Sequence, residues 1–374
     1  MSGRVRVPMG ATRRDAVLER VQHGPAPETG VLSILARVAW LSPLERIAVM
    51  GRAPTVEQLL ALSHDELLSV IGRSSVRAEW RPRRHLAGVE SDRLWLRASR
   101  EHRLVGPGSA GYPGRLLRLY DPPAALYLRG TAEGAPLDRV VVGMVGTRKP
   151  DAQGREAAFA LAGTLARAGA GIASGLALGI DATAHRGMIA AGAAGQGLIV
   201  LGAGPDQVSP TRNRPVAADI LDGGGLIVSE YPPGTPAARH RFPARNRLIA
   251  GLSDALVAFQ APADSGSLIT AEFALQLDIP VMVHSSAAGW AGSQALLADA
   301  PDLHEVTTRD EVLAVLHDGG VIDSETMRAG RAAGAWHPDE GRADALKLFG
   351  MEASPASLAE FRAALRAPAG GVES

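Results

Sequence analysis

Between Val31 and about Leu86 apolar residues recur at helical spacing: Leu32, Leu35, Ala36 and Ala39, then Leu59, Leu60, Leu62, Leu67, Leu68 and Ile71. Pro43 and Pro54 punctuate this pattern, and Ser63 with Glu66 forms a capping-box signature. A small helical domain is therefore predicted over residues 31–88. From Val140 the period changes. Short aliphatic runs predict strands at Val140–Val145, Gly171–Ser174, Leu198–Leu201, Leu226–Ser229, Ala255–Phe259 and Pro280–Val283, with helices between them at Gln153–Ala168 and Ala182–Ala191. Such alternation predicts a parallel sheet covered by helices on both faces, with ligands beyond the C-terminal ends of its strands.

The segments around this unit are less periodic. Residues 1–30, rich in Arg, Pro and Gly, are expected to be a flexible leader. Leu94–Leu96 reads as a short strand ahead of a Pro-rich connector running to Gly130. The α/β domain is expected over 89–318 and a linker over 319–340, including the Ala/Gly-rich Ala329–Gly334. A short helical tail over 341–374 would follow, where Ser354-Pro355 supplies an N-cap with proline at the first helical position.

Composition narrows the function classes. The 374 residues contain no cysteine, which excludes disulfide frameworks, thiolate metal sites and a cysteine nucleophile, and fits a reducing cytoplasm. Basic and acidic residues balance at 39 each, so any polyanion-binding surface must be a local cluster. Residues 187–205 form an uncharged run of 19, but six are glycine, which argues for a helix end, a turn and a buried strand rather than a membrane span. Arg4, Arg6, Arg13 and Arg14 are followed by no apolar run of signal-peptide length. A cytoplasmic protein with no membrane contact is expected.

Four stretches at the predicted strand ends carry candidate chemistry. Gly146-Thr147-Arg148-Lys149 precedes a helix, where small residues let an anion reach backbone N–H groups and the two cations add charge. Neither a dinucleotide G-x-G-x-x-G nor a Walker A sequence is present. The second stretch, Ser174–Gly187, holds Gly175 and Gly179, which permit close approach, and Asp181, read as the N-cap of the next helix. His185 follows with no third partner for a nucleophilic triad. In Arg239–Ser253 there are four arginines, one histidine and no acid. Arginines at a helix start oppose the macrodipole, so a bound anion accounts for them better than helix propensity; a solvated charged face is the alternative. Last, Ser265-Gly266-Ser267 opens a helix with an anion-ready set of N–H and hydroxyl donors.

These stretches, in this order, resemble the DprA (Smf) family of DNA-processing proteins. The matching pieces are the Gly146–Lys149 turn, Ser174–Gly187 (SGLALGIDATAHRG), Ser229–Thr235 (SEYPPGT), Phe242–Ser253 (FPARNRLIAGLS) and Ser265–Glu272 (SGSLITAE), within roughly residues 90–306. The resemblance implies an extended Rossmann-like parallel sheet of α/β class, a small N-terminal helical domain of SAM or helix-hairpin-helix type, and a homodimer. It also implies single-stranded DNA in a basic pocket and loading of the RecA recombinase during transformation. Carried over by motif, Arg148, Lys149, Arg245 and Arg247 would contact phosphates. Gly146, Thr147, Arg241 and Phe242 would belong to the same binding surface, with Phe242 the nearest stacking candidate. Gly175 and Leu176 would line the pocket floor, and Asn246, Ser265, Gly266, Ser267 and Thr270 would supply polar contacts. No metal or cofactor is implied.

The chain departs from the family at several points. Thr147 stands where serine is usual, Ser209-Pro210 replaces Tyr-Pro, and His284-Ser285-Ser286 replaces Pro-Gly. The tail would stand where the family carries a winged helix, which it matches poorly. Two other readings remain. One is a nucleotide-processing enzyme of the lysine-decarboxylase-like phosphoribohydrolase superfamily, whose Gly-Thr-x-x-Glu motif would place its catalytic glutamate at Thr270, with Glu272 about 200° further round the helix. The other is a scaffold that recruits a recombinase.

Overall fold

The computed structural model describes residues 11–131, 137, 139–300 and 303–333. The chain divides into two compact units, one running to Leu128 with Glu230–Thr235 added, the other comprising Arg129–Ser229 and the chain from Pro236 onward. The expected tail at 341–374 lies outside the described residues.

The first unit is helical: α1 (Ala11–His23), α2 (Thr29–Arg37), α3 (Pro43–Arg52), α4 (Val56–Ala61), α5 (His64–Ile71) and α6 (Leu86–Ala98), followed by the strand β1 (His102–Val105) and the first residues of β2 (Leu126–Gly130), within which the unit ends. Capping boxes start α3 at Ser42, α4 at Thr55 and α5 at Ser63, each satisfying two otherwise unpaired N–H groups. The periodic positions Leu32, Leu35, Leu59, Leu67 and Ile71 are buried together in one core.

Two expectations fail in this unit. Helix α1 occupies Ala11–His23, within the stretch expected as a flexible leader, because Leu18 and Val21 bury themselves in the core. Leu94–Leu96 is helical rather than a strand: α6 turns Asp92 inward and leaves Leu94 61% exposed. The inward carboxylate accepts from Arg37 (2.6 and 2.7 Å), Ser33 Oγ (2.6 Å) and the Tyr127 hydroxyl (2.6 Å). A buried acid with this many donors is satisfied rather than stranded.

The second unit alternates β3 (Val141–Val145), α7 (Ala152–Arg167), β4 (Gly171–Ser174), α8 (Ile180–Ala190), β5 (Gly197–Leu201), α9 (Arg214–Asp222) and β6 (Leu226–Ser229). It continues with α10 (Arg241–Leu252), β7 (Ala255–Ala258), α11 (Gly266–Gln276), β8 (Val281–His284), α12 (Ala291–Asp299), β9 (His304–Val306), α13 (Arg309–Asp318) and α14 (Ser324–Ala332). The last helix lies inside the expected linker; Asp323 caps it by accepting from Thr326 N (2.7 Å).

Among the described residues its seven strands, β3 to β9, are parallel neighbours in the order β6-β5-β4-β3-β7-β8-β9. Every residue of β3 through β8 is buried, as a sheet covered on both faces requires. This is a Rossmann-like α/β fold. Strand order reverses between β3 and β7, paired from Val142↔Ala255 to Val145↔Ala258. The loops leaving the two strands diverge there and open a crevice at their C-terminal ends.

Candidate functional site

At that crevice lies a cleft of about 840 Å³. Gln260, two residues past the end of β7, ties its two sides together. The Gln260 carbonyl accepts from Thr147 N (2.9 Å), its Oε1 accepts from Asp151 N (3.0 Å), and its Nε2 donates to Asp151 Oδ1 (2.6 Å). Asp151 in turn caps α7 by accepting from Gly154 N (2.8 Å). The turn between β3 and α7 is therefore fixed before any ligand arrives. Thr147 is buried and its hydroxyl accepts from Lys149 N (3.1 Å), shaping the turn that carries the two cations outward.

Gly146, Thr147, Arg148 and Lys149 all line the cleft, Arg148 and Lys149 being exposed. The Arg148 guanidinium carbon sits 5.4 Å from the centroid of the Phe242 ring, a cation–π pair across the opening. Exposed Arg239 lines the same cleft.

The arginines of α10 occupy a different environment. Arg245 is 4% and Arg247 6% exposed. Arg245 Nη1 donates to the Val200 carbonyl (2.7 Å) and Nη2 lies 3.7 Å from Asp181 Oδ2; Arg247 donates to its own helix at Ala244 O (3.3 Å). Arg245 lines the cleft but Arg247 does not. Half-buried Arg241 also lies off the lining and donates to Pro236 O (2.6 Å). Much of the arginine cluster thus organises protein carbonyls and one buried carboxylate.

Asp181 is not the N-cap of α8; that position is Gly179. Its carboxylate reaches back to accept from Gly175 N (3.1 Å) and Ala177 N (3.4 Å). Burial raises the Asp181 carboxyl above the usual range, while Arg245 and the two N–H groups pull it down. Burial likewise lowers Arg245, which Asp181 draws back up. The pair braces the β4 loop, where Leu176 is buried at φ 54°, a backbone state costly for a branched residue. Asn213 Nδ2 donates to the Leu176 carbonyl (2.9 Å) and completes the brace. Gly175 and Leu176 lie beneath the site rather than on the cleft lining.

The opposite wall is the start of α11. Asn246 Nδ2 donates to Gly266 O (2.9 Å), and the Ser265 and Ser267 hydroxyls are 2.6 Å apart. No side chain caps the first turn of α11, so N–H groups remain there for an anion. Phe242, Asn246, Ser265, Gly266, Ser267 and Thr270 all line the cleft, with the Thr270 hydroxyl donating to Gly266 O (3.2 Å).

Linear motif reading missed Asp264 on the rim, Pro262 and Trp290 on the wall, and Asn213 beneath. Trp290 is a lone aromatic in the loop between β8 and α12, and nothing in the local pattern marks it. Of the carboxylates, Asp181 and Asp264 line the cleft, whereas Glu272 is exposed and off the lining. Among the described residues no group of acids and histidines is placed to hold a metal ion, and no helix is long and apolar enough to cross a membrane.

A family model for DNA recombination-mediator protein A matches residues 103–317. Protein Smf of Escherichia coli (strain K12) is 35% identical over 234 residues, covering 62% of this chain and 61% of that protein. DNA processing protein DprA of Bacillus subtilis is 39% identical over 168 residues, 45% of this chain and 55% of its own. The chain spans 61%, 52% and 65% of the length of three Smf proteins it matches. The X-ray structure of DprA from Streptococcus pneumoniae aligns with a TM-score of 0.62 at 26% identity, over 77% of this chain and 98% of that one. A structure of DNA processing protein A from Helicobacter pylori, described for its single-stranded DNA binding mode, aligns with a TM-score of 0.51 at 28% identity over 58% of this chain and 96% of that one.

Proposed function

Because the chain belongs to the DNA recombination-mediator protein A family, we propose that it binds single-stranded DNA, without sequence preference, in the cleft at the ends of β3 and β7. One observation carries this reading: exposed Arg148 and Lys149 face an uncapped helix start across an open cleft at the strand-order reversal. Cations and N–H donors on opposing walls suit a run of phosphates. Phosphates are common to all sequences, so such contacts position a strand without reading it.

The proposed role is binding rather than catalysis. The glutamate that would serve a phosphoribohydrolase is replaced by Thr270, whose hydroxyl is turned into its own helix, and Glu272 is off the lining. In the cell the protein would act in the cytoplasm as a homodimer and assist loading of a RecA-type recombinase onto the bound strand during DNA uptake and recombination. The binding of single strands by the Helicobacter pylori protein supports the choice of ligand.

The test is a titration with single- and double-stranded oligonucleotides of one sequence at two salt concentrations. The reading expects tighter binding of the single strand and a loss of affinity with salt. Equal or tighter binding of the duplex would overturn it. Incubation with nucleoside monophosphates should release no free base; release would restore the enzyme reading.

A further inference from the structure

The walls of the cleft are chemically unequal. One side carries the exposed cations Arg148 and Lys149; the side opposite, with the uncapped start of α11, carries Pro262, Ile269 and Trp290. Phe242 already has a guanidinium over its ring, that of Arg148. Trp290 has no such partner. It is half-buried, and its indole N–H makes no hydrogen bond among the described residues.

The backbone around Trp290 is fixed. Its N–H donates to Ala287 O (3.0 Å) and its carbonyl accepts from Gln294 N (3.0 Å). Two residues on, Gly292 packs so closely on the carbonyls of Ala261 and Pro262 that a Cβ would overlap them. Ser293 N donates to Ala261 O (3.2 Å), and Ala261 N donates to Ser293 Oγ (3.0 Å). The start of α12 is thus pinned to the exit of β7, which fixes the Trp290 backbone at the cleft wall.

We infer that Trp290 is a nucleobase shelf, on which an unpaired base of the bound strand stacks while its backbone lies on the Arg148–Lys149 side. The inference rests on the proposed single-strand binding and adds to it a physical source of preference over duplex. A base already paired and stacked in a double helix has no free face to offer, whereas every unpaired base does. The free indole N–H would donate to a base carbonyl, as found on thymine.

The test uses the full chain and two probes of equal length: single-stranded oligothymidylate, and the same backbone with abasic sites in place of most bases. Parent protein should bind the first about tenfold more tightly than the second. Trp290→Ala should bring this ratio close to one, and Trp290→Phe should keep most of it. The dependence on salt should be unchanged in both variants, since the phosphate contacts are retained. A purely structural role for Trp290 would weaken both probes alike and leave the ratio intact; that result overturns the inference. Failure of parent protein to bind either probe would instead remove the proposed function on which it stands.

Discussion

Arg245 places Nη2 3.7 Å from Asp181 Oδ2 while Nη1 donates to Val200 O, and both buried side chains form part of the cleft lining. The most conspicuous arginine of the basic stretch therefore has an internal partner. Asp181 passes this restraint to the β4 loop through the N–H groups of Gly175 and Ala177. Arg245 thus braces the lining through an internal partner, and Arg148 and Lys149 present its charge.

Arg245→Ala removes the countercharge and leaves a buried carboxylate behind. It should cost about 3–5 kcal/mol in urea unfolding. Adding Asp181→Asn should recover part of that loss, because the orphaned charge is then gone. Equal stability of parent and Arg245→Ala would show that the pair braces nothing.

Gly175→Ala tests the packing of the same brace. A Cβ at Gly175 would overlap the Arg245 guanidinium, whereas one at Gly114 meets nothing within 4 Å. Gly175→Ala should lower stability by about 1–3 kcal/mol, as overpacking does, with Gly114→Ala close to parent. Thermal unfolding of the two variants side by side checks the contrast.

His185, fully buried in α8, is pushed by desolvation from an ordinary value near 6.5 to about 3. The folded protein keeps it neutral, while the unfolded chain takes up a proton below about pH 6.5. Stability from this group is therefore complete above pH 6.5 and is lost as pH falls from there toward 3, amounting to about 2 kcal/mol between pH 7 and pH 5. Burial lowers His284 as well, so part of the acid sensitivity has a second source. In urea unfolding at the two pH values, parent should lose more stability than His185→Gln; identical losses would contradict the assignment.

The sheet was legible in the amino-acid sequence because parallel strands buried on both faces are uninterrupted aliphatic runs. Gly171–Ser174 and Leu226–Ser229 coincide with the expected bounds, and Val140–Val145 shifts by one residue. Leu94–Leu96 misled because two leucines flanking a tryptophan mimic strand alternation. The residue that orients α6 is Asp92, whose partner Arg37 lies 55 positions away. Charge spacing likewise says nothing of burial: Arg245 and Arg247 look like free cations until α8 brings Asp181 beside the first. Trp290 was invisible for the converse reason, since only the pinning of Ser293 to Ala261 carries its loop to the cleft.

The central claim is that exposed Arg148 and Lys149 grip the phosphates of a single strand. Its most direct test is the Kd of Arg148→Ala/Lys149→Ala for a single-stranded oligonucleotide across a series of salt concentrations, after confirming an unfolding midpoint equal to that of the parent. With two phosphate contacts removed, the variant should bind more weakly, and the slope of log affinity against log salt should become shallower by about 1.4. Parental affinity with an unchanged slope would contradict the account.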